Sequence, residues 1–340
     1  MLDDLAPIFS YAVEANASDV YLQPDSVPFF RIEGKLRRSE FMIVTSDNMT
    51  EVCSACLSAA QKQILDEVRT VDFSLEFLSR RWRGNIYFRR GEAVAVFRLV
   101  PEKIFTLAEL GLDILRPLTK LKSGLVLVTG YVGSGKTTTL AALINELAAA
   151  GPKHIITLED PVEYIYDVPG SLFSQREWGR DFFSFPQAIS SALRQMPDAL
   201  LVGEIRDRAT VEAALLAAET GLLVLGTLHT PSAVETARRV EGMFAASDRE
   251  SVRDQFAAVL GGIVSQRLIP AIPSGRVAAA ELLLPNAAAR NIIRQGRYLQ
   301  LESVMLSGES DGMQTLGAAL KRLRQNGRID ANALAEASGQ

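Results

Sequence analysis

The chain is 340 residues long, which predicts two domains with enough apolar material for a sizeable core. It is 48% hydrophobic and 22% charged, as is ordinary for a globular protein, and its net charge of -4 argues against binding to nucleic acid or acidic lipid through bulk electrostatics. No apolar run approaches the ~20 residues of a membrane span. The N-terminal stretch MLDDLAPIFSYAVEA is acidic, unlike a signal peptide, so we expect a cytoplasmic protein that contacts membranes only through partners.

Residues 1–104 combine short strand and helix patterns. Two of the strand patterns, in PFFRIEGKLRR, are separated by a bend at Gly34, as in a hairpin. The region therefore predicts a small α+β N-terminal domain, and PEKIFTLAELGL after it reads as the start of a linker over 105–120. The stretches with strand pattern are SDVYLQ, PFFRIEGKLRR, VDFSLEF and GNIYFRRGEAVAVFRLV.

The only cysteines, Cys53 and Cys56, form a C-x-x-C pattern, which can indicate a metal or redox site. The only histidines, His154 and His229, are distant in sequence, and two cysteines cannot form a four-thiolate zinc site within one chain. We favour small core residues on a helix that Asn48 could cap. The residues that share one face of this predicted helix are Cys53, Cys56, Leu57, Ala60 and Ile64.

The stretch SRRWRGNIYFRR is rich in arginine with aromatic residues between. Nucleic-acid binding is one interpretation. Contact with a bound triphosphate across an interface is a second, and a solvated strand edge guarded by charge is a third. Residue types alone leave the three open. The arginines are Arg80, Arg81, Arg83, Arg89 and Arg90.

The stretch LVLVTGYVGSGKTTTL runs from a short apolar strand into a glycine-rich turn and then a helix. Its spacing fits the phosphate-binding pattern G-x-x-x-x-G-K-[ST]. Glycines let the backbone N–H groups turn inward, Lys136 is placed to reach the β- and γ-phosphates, and the Thr137 hydroxyl is placed to bind Mg²⁺. We predict a site for a nucleoside triphosphate and Mg²⁺, formed by Gly130, Gly133, Ser134, Gly135, Lys136, Thr137 and Thr138.

Beyond this loop, apolar strands alternate with alanine-rich helices. Such alternation predicts a mainly parallel sheet covered by helices, in a domain over 121–340 that ends in helices. The strand patterns are HIITLED, DALLVGEI, LLVLGTLHT and VAAAELLLP.

Polar residues follow three of these strands, at the edge where ligands bind in open α/β sheets. Glu159, Asp160 and Glu163 follow the first, Glu204 the second, and His229 the third. Each carboxylate is either a solvated loop charge or a partner for Mg²⁺ and the attacking water. His229 is either structural or a phosphate contact. The candidate ligands of Mg²⁺, partly through water, are Thr137, Glu204 and Glu159.

Together these stretches resemble the type IV pilus and type II secretion ATPase superfamily, and within it the pilus retraction (twitching motility, PilT-like) ATPases. The resemblance covers nearly the whole chain. The segments that carry it are ASDVYLQP, RIEGKLRR, the glycine-rich loop, TLEDPVEY, SQREWGRDFFSF, LRQMPDALLVGEIRD, AAETGLLVLGTLHT, AAARNIIRQG and GMQTLGAALKRL.

The resemblance implies a PAS-like N-terminal domain and a RecA-like ATPase domain that clamp ATP within a homo-hexameric ring. It implies a motor that drives pilus retraction or disassembly through an inner-membrane platform protein, at the cytoplasmic face of that membrane and without direct contact to nucleic acid. An accessory retraction ATPase is one form of this role. The alternatives are an ATPase of a related type II/IV secretion or pilus-assembly system, a nucleic-acid translocase, a small-metabolite kinase and a non-catalytic scaffold.

Carried over by position, the resemblance also implies residue roles. Lys136 and Thr137 bind phosphate and Mg²⁺, and Glu204 is the Walker B carboxylate. Glu163 orients or deprotonates water, and His229 senses the γ-phosphate. The residues that match family arginines of the N-terminal domain, some of which contact nucleotide, are Arg81, Arg83 and Arg98.

Overall fold

The computed structural model describes residues 5–32, 34–100 and 103–338. The chain forms two compact units. The first consists of Met1–Lys103 with Pro161–Ile165, and the second of Ile104–Asp160 with Tyr166–Gln340. No helix among the described residues has the length and hydropathy needed to cross a bilayer.

The first unit contains a six-stranded antiparallel sheet in the order β3-β2-β1-β6-β5-β4, packed with three helices. Its strands are β1 Asp19–Leu22, β2 Phe29–Ile32, β3 Lys35–Arg38, β4 Thr70–Phe77, β5 Arg80–Arg89 and β6 Glu92–Leu99. Its helices are α1 Ala6–Glu14, α2 Ser46–Cys56 and α3 Ala59–Val68. The α+β class expected for this region is confirmed.

Aromatic side chains form the centre of the first core. Phe9 of α1 makes edge-to-face contacts with Phe77, Trp82 and Phe97 of the sheet, and Phe9, Trp82 and Phe97 are fully buried. Because alternate residues of a strand point to opposite faces, burying Trp82 places its neighbours Arg81 and Arg83 on the other face of β5.

The cysteine stretch differs from the single helix that the sequence suggested. It forms two helices, α2 and α3, because Ser58 accepts a hydrogen bond from the Gln61 N–H and starts a new helix there. The predicted cap was also wrong: Thr45 caps α2, and Asn48 is the third-position partner of its capping box. Cys53 and Cys56 are free thiols that pack against the first core. Burial raises the pKa of both, that of Cys56 to about 12.

The second unit contains a seven-stranded sheet in the order β13-β12-β7-β11-β10-β8-β9. All neighbouring strands are parallel except the β12–β13 hairpin, so the predicted mainly parallel sheet is confirmed. Its strands are β7 Gly124–Thr129, β8 His154–Glu159, β9 Leu172–Glu177, β10 Ala199–Val202, β11 Leu223–Leu228, β12 Leu260–Pro270 and β13 Arg276–Leu283.

Helices cover this sheet, which accounts for its continuously apolar central strands. Every residue of β7, β10 and β11 is buried, as is typical of parallel strands with both faces covered. The helices are α4 Lys136–Ala149, α5 Phe185–Ala192, α6 Arg208–Glu219, α7 Ala233–Gly242, α8 Arg249–Val259, α9 Ala287–Arg294, α10 Leu301–Ser307, α11 Leu316–Gln325 and α12 Ala331–Ser338.

The segment 105–120, interpreted from sequence as a linker, groups with the second unit. A 3-10 helix spans Asp113–Lys120, and the Leu107 N–H donates to the Glu146 carboxylate of α4 at 2.9 Å. Four leucines account for this packing, since each is buried: Leu107, Leu112, Leu115 and Leu118.

Candidate functional site

The glycine-rich loop joins the buried strand β7 to the N-terminus of α4. Gly130 and Gly135 have φ angles of 140° and 88°, which side chains rarely adopt. A Cβ at Gly130 would collide with the Gln266 carbonyl, and one at Gly135 would lie 2.8 Å from the Gln266 Nε2. No side chain caps α4 at its N-cap residue Gly135, so the positive end of the helix faces the loop.

Lys136 is nearly buried, at 9% exposure, and its ammonium lies inside the loop. The Nζ donates to the Gly130 carbonyl at 2.9 Å and the Tyr131 carbonyl at 3.1 Å, and it lies 3.4 Å from the His229 Nδ1. The Ser134 hydroxyl is buried with no hydrogen-bond partner among the described residues. The loop therefore places the Lys136 ammonium and the unpaired Ser134 hydroxyl close to its glycine residues.

Glu204 and His229 meet because β10 and β11 are parallel neighbours and each residue follows its strand. The His229 Nε2 lies 3.1 Å from one Glu204 oxygen, and the Arg206 guanidinium lies 2.7 Å from the other. Arg206 also lies 4.0 Å from the Asp160 carboxylate, after β8. Five polar side chains at the strand ends therefore form a continuous network, in which each lies within 4.0 Å of the next: Lys136, His229, Glu204, Arg206 and Asp160.

The electrostatic setting keeps Glu204 ionised. Partial burial alone would raise the pKa of its carboxyl, but the hydrogen bond and charge of Arg206, followed by His229, lower that pKa below its ordinary value. A carboxylate with a lowered pKa is negatively charged at neutral pH, as a partner for a cation requires.

The two other carboxylates predicted from the sequence, those of Glu159 and Glu163, belong to different units. Glu159 ends β8 at 5% exposure and accepts a hydrogen bond from the Gln175 side chain at 3.4 Å. Glu163 belongs to the segment that groups with the first unit, where it forms a 3.2 Å ion pair with Arg83. Glu163 is only three positions beyond Asp160 in the chain, yet Asp160 belongs to the second unit. The sequence did not indicate that Glu163 would pack with the N-terminal sheet.

Arg81, Arg83 and Arg98 share one face of the first unit's sheet. Arg83 and Arg98 are directly paired across β5 and β6, and Arg98 forms a 2.8 Å ion pair with the buried Asp19. Arg81 donates to the Val162 carbonyl at 3.2 Å. The interpretation of this stretch as a guarded sheet edge is wrong, because β5 lies between β6 and β4.

Thr137 and Thr138 are half-buried in the first turn of α4, as the loop pattern predicts. Gln266 of β12 is a residue that sequence reasoning missed. It is 2% exposed, its Nε2 donates to the Ser134 carbonyl at 2.8 Å, and its Oε1 accepts from the Thr139 hydroxyl at 2.7 Å. The available signal was a glutamine within the apolar run of a buried strand.

We expect Gln266→Met to weaken nucleotide binding about tenfold and to lower the free energy of unfolding by about 1–3 kcal/mol, because two buried polar groups lose their partner. Methionine keeps the length of the side chain, so the packing changes little. Titration with ADP and thermal unfolding measure the two effects. Gln300→Met, at an exposed position, is the control, and unchanged ADP affinity in Gln266→Met would show that the loop does not depend on this contact.

The family model described as "Type II/IV secretion system protein" matches residues 2–331 of the chain. The type IV pilus retractation ATPase PilT of Pseudomonas aeruginosa is 39% identical over 328 residues, which cover 96% of this chain and 95% of that protein. A twitching motility protein of Neisseria gonorrhoeae is 40% identical over 305 residues, covering 89% and 82% of the two chains.

A solved structure has the same fold. The crystal structure of the pilus retraction motor PilT with bound ADP superposes with a TM-score of 0.90 at 41% identity, covering 98% of this chain and 96% of that one. The similarity therefore includes both compact units as well as the glycine-rich loop.

Proposed function

The chain belongs to the type II/IV secretion system protein family, and from this membership we propose that it is an ATP-hydrolysing motor that powers pilus retraction or disassembly. The observation that carries the proposal is the convergence of Lys136, His229 and Glu204 at the mouth of the glycine-rich loop. Full-length similarity to a pilus retraction ATPase and to a twitching motility protein supports the biological role.

The loop fits a triphosphate on three grounds. Gly130, Gly133 and Gly135 adopt the positive φ angles of a phosphate-binding turn, the N-terminus of α4 faces the loop without a side-chain cap, and Ser134 keeps a buried unpaired hydroxyl. On binding, Lys136 exchanges the carbonyls of Gly130 and Tyr131 for phosphate oxygens. The lysine thereby carries its positive charge to the γ-phosphoryl group without a large movement of the backbone.

Other side chains have separate roles in the hydrolysis step. Glu204 holds its negative charge beside the phosphates, with Arg206 fixing one carboxylate oxygen and His229 the other. His229 lies between Lys136 and Glu204, so its ring position depends on whether the lysine has moved to phosphate. By their match to family residues, we assign Glu163 to orienting or deprotonating the attacking water, and Arg81, Arg83 and Arg98 to supplying positive charge to a bound nucleotide.

Mg²⁺ fits the donor set of the second unit as an ion held mainly by the nucleotide. The described residues contain no cluster of three or more histidine, cysteine or acidic side chains suited to a metal, whereas Thr137, Glu204 and Glu159 offer the few oxygens that a phosphate-bound Mg²⁺ takes from protein. A bound Mg²⁺ would supply positive charge that offsets the negative charge of the phosphates.

The proposal includes an assembly and a place of action. Six copies form a ring at the cytoplasmic face of the inner membrane, where an inner-membrane platform protein receives the movement.

We expect the purified chain to hydrolyse ATP with no phosphate acceptor present, at a rate that oligonucleotides do not change, and to show six subunits with ATP in native mass spectrometry. In a piliated host, deleting its gene should abolish or slow retraction of bead-tethered pili. A monomer that forms ADP only when an acceptor is added, with the γ-phosphoryl group transferred to that acceptor, would identify a kinase. Stimulation of hydrolysis by nucleic acid would identify a translocase.

A further inference from the structure

Glu281 is a buried carboxylate of β13 that the proposed mechanism does not use. It is 8% exposed, and its strand pairs with β12 so that Glu281 lies opposite Ser265. A buried carboxylate costs free energy unless its oxygens accept hydrogen bonds. The hydrogen-bond donors around Glu281 therefore explain why a carboxylate is tolerated at this buried position.

Two helices begin at this carboxylate. The backbone N–H of Ala233, the first residue of α7, donates to the Glu281 Oε1 at 2.6 Å. The start of α11 lies beside the same strand, since Gln314 exchanges backbone hydrogen bonds with Leu282, and the N–H of Leu316 lowers the pKa of Glu281. The N-cap residues Ser232 and Thr315 satisfy a different N–H of each helix. Glu281 thus completes the cap of α7 and lies beside the start of α11, where the positive ends of the two helices face it.

Helix α7 is in turn linked to both parts of the candidate site. Thr230, which follows His229, lies 2.7 Å from the Thr236 hydroxyl of α7, and both threonines are buried. The Thr236 hydroxyl also lies 3.4 Å from that of Thr129, the last residue before Gly130 of the loop. The start of α7 therefore holds the His229 segment against the strand that carries the phosphate loop.

We propose that Glu281 is a positioning residue for the reaction: by fixing the first turn of α7 to β13, it holds His229 in register with Glu204 and Lys136. This inference rests on the proposed function, because it assigns His229 a part in hydrolysis.

The groups around Glu281 shift the pKa of its carboxyl in both directions. Burial raises its pKa above the ordinary value, while the N–H groups of Ala233 and Leu316 oppose that shift. Glu302 raises the pKa further, and Arg267 lowers it. An amide at this position keeps the shape of the side chain but loses the charge that both helix ends face.

The test is Glu281→Gln in the full-length chain. We expect kcat to fall about 10- to 100-fold, as for a small displacement of a catalytic group, with KM for ATP changed less than about threefold. The same substitution in a His229→Ala background should lower kcat no further, because its effect passes through the histidine. Glu241→Gln is the matched control, since Glu241 lies at the other end of α7 and pairs with Arg253 at 2.8 Å.

A second measurement needs no activity. The chain has only two histidines, so the ring resonances of His229 and His154 are assigned by His229→Ala alone. Glu281→Gln should shift the His229 ring resonance and leave that of His154, which lies 3.1 Å from Ser174, unchanged. If Glu281→Gln does not give folded protein, Glu281→Asp keeps the charge but shortens the reach, and the same shift is expected in it.

An unchanged His229 resonance, or an equal loss of kcat in the two backgrounds, would overturn the role of Glu281. A wild-type chain that does not hydrolyse ATP would instead defeat the proposed function, and the resonances would still report whether Glu281 positions the histidine.

Discussion

Lys136→Ala is expected to abolish ATP hydrolysis, with kcat at least ~1,000-fold lower, while the fold is kept. Lys136 supplies the only ammonium inside the glycine-rich loop among the described residues, where it donates to the Gly130 and Tyr131 carbonyls. Without it, the charge that builds up on the γ-phosphoryl oxygens during transfer loses its nearest point charge. Alanine is a good helix former at this first position of α4, so the backbone should not change.

Phosphate release measured on the purified variant tests this prediction, with circular dichroism as the check on folding. Lys120→Ala is the matched control, because Lys120 is an exposed lysine of the same unit. Turnover close to wild type in Lys136→Ala would exclude this loop as the site of hydrolysis.

Glu204→Gln is expected to retain ATP binding and to lower kcat at least ~100-fold. The amide keeps the shape of the side chain but removes the negative charge that Arg206 and His229 hold in place. Binding depends on the loop and Lys136, which the substitution leaves intact. The variant should therefore accumulate ATP-bound protein, and, if the ring forms on ATP, native mass spectrometry should show it trapped as a hexamer.

Equilibrium binding of ATP and single-turnover hydrolysis separate these two effects. Glu212→Gln is the control, since Glu212 is an exposed carboxylate of α6 that pairs with Arg208 within the same helix. Loss of ATP affinity in parallel with kcat would assign Glu204 to binding instead of hydrolysis.

Local sequence accounts for the elements that carry the loop. The spacing of Gly130, Gly135 and Lys136 is sufficient to predict the loop, because the positive φ angle of each glycine is a local property of the turn. The close approach of both glycines to Gln266 depends instead on the tertiary structure. The apolar runs of β7, β10 and β11 likewise predict buried parallel strands without reference to their neighbours. The family resemblance drawn from such segments is confirmed by the match over residues 2–331.

Local sequence predicted helix boundaries less reliably where two nearby residues can both act as the N-cap. Asn48 and Thr45 are both good N-caps, and the helix starts at whichever residue has a partner three positions on in the folded chain. Ser58 interrupts the cysteine helix for the same reason, since its capping box with Gln61 competes with continuing α2. Boundaries such as these depend on packing as well as on the residues themselves.

By itself, then, the sequence determined the phosphate loop, the alternation of strands and helices, and the residues that stand at strand ends, because each of these is a property of neighbouring positions. Only the tertiary structure decided which side chains meet. Lys136 and His229 are 93 positions apart, and Gln266 reaches Thr139 across 127, because strand order and not chain order brings β7, β11 and β12 side by side. The same is true of Glu281, which caps α7 from 48 positions away, so its buried carboxylate is explained only by the folded arrangement.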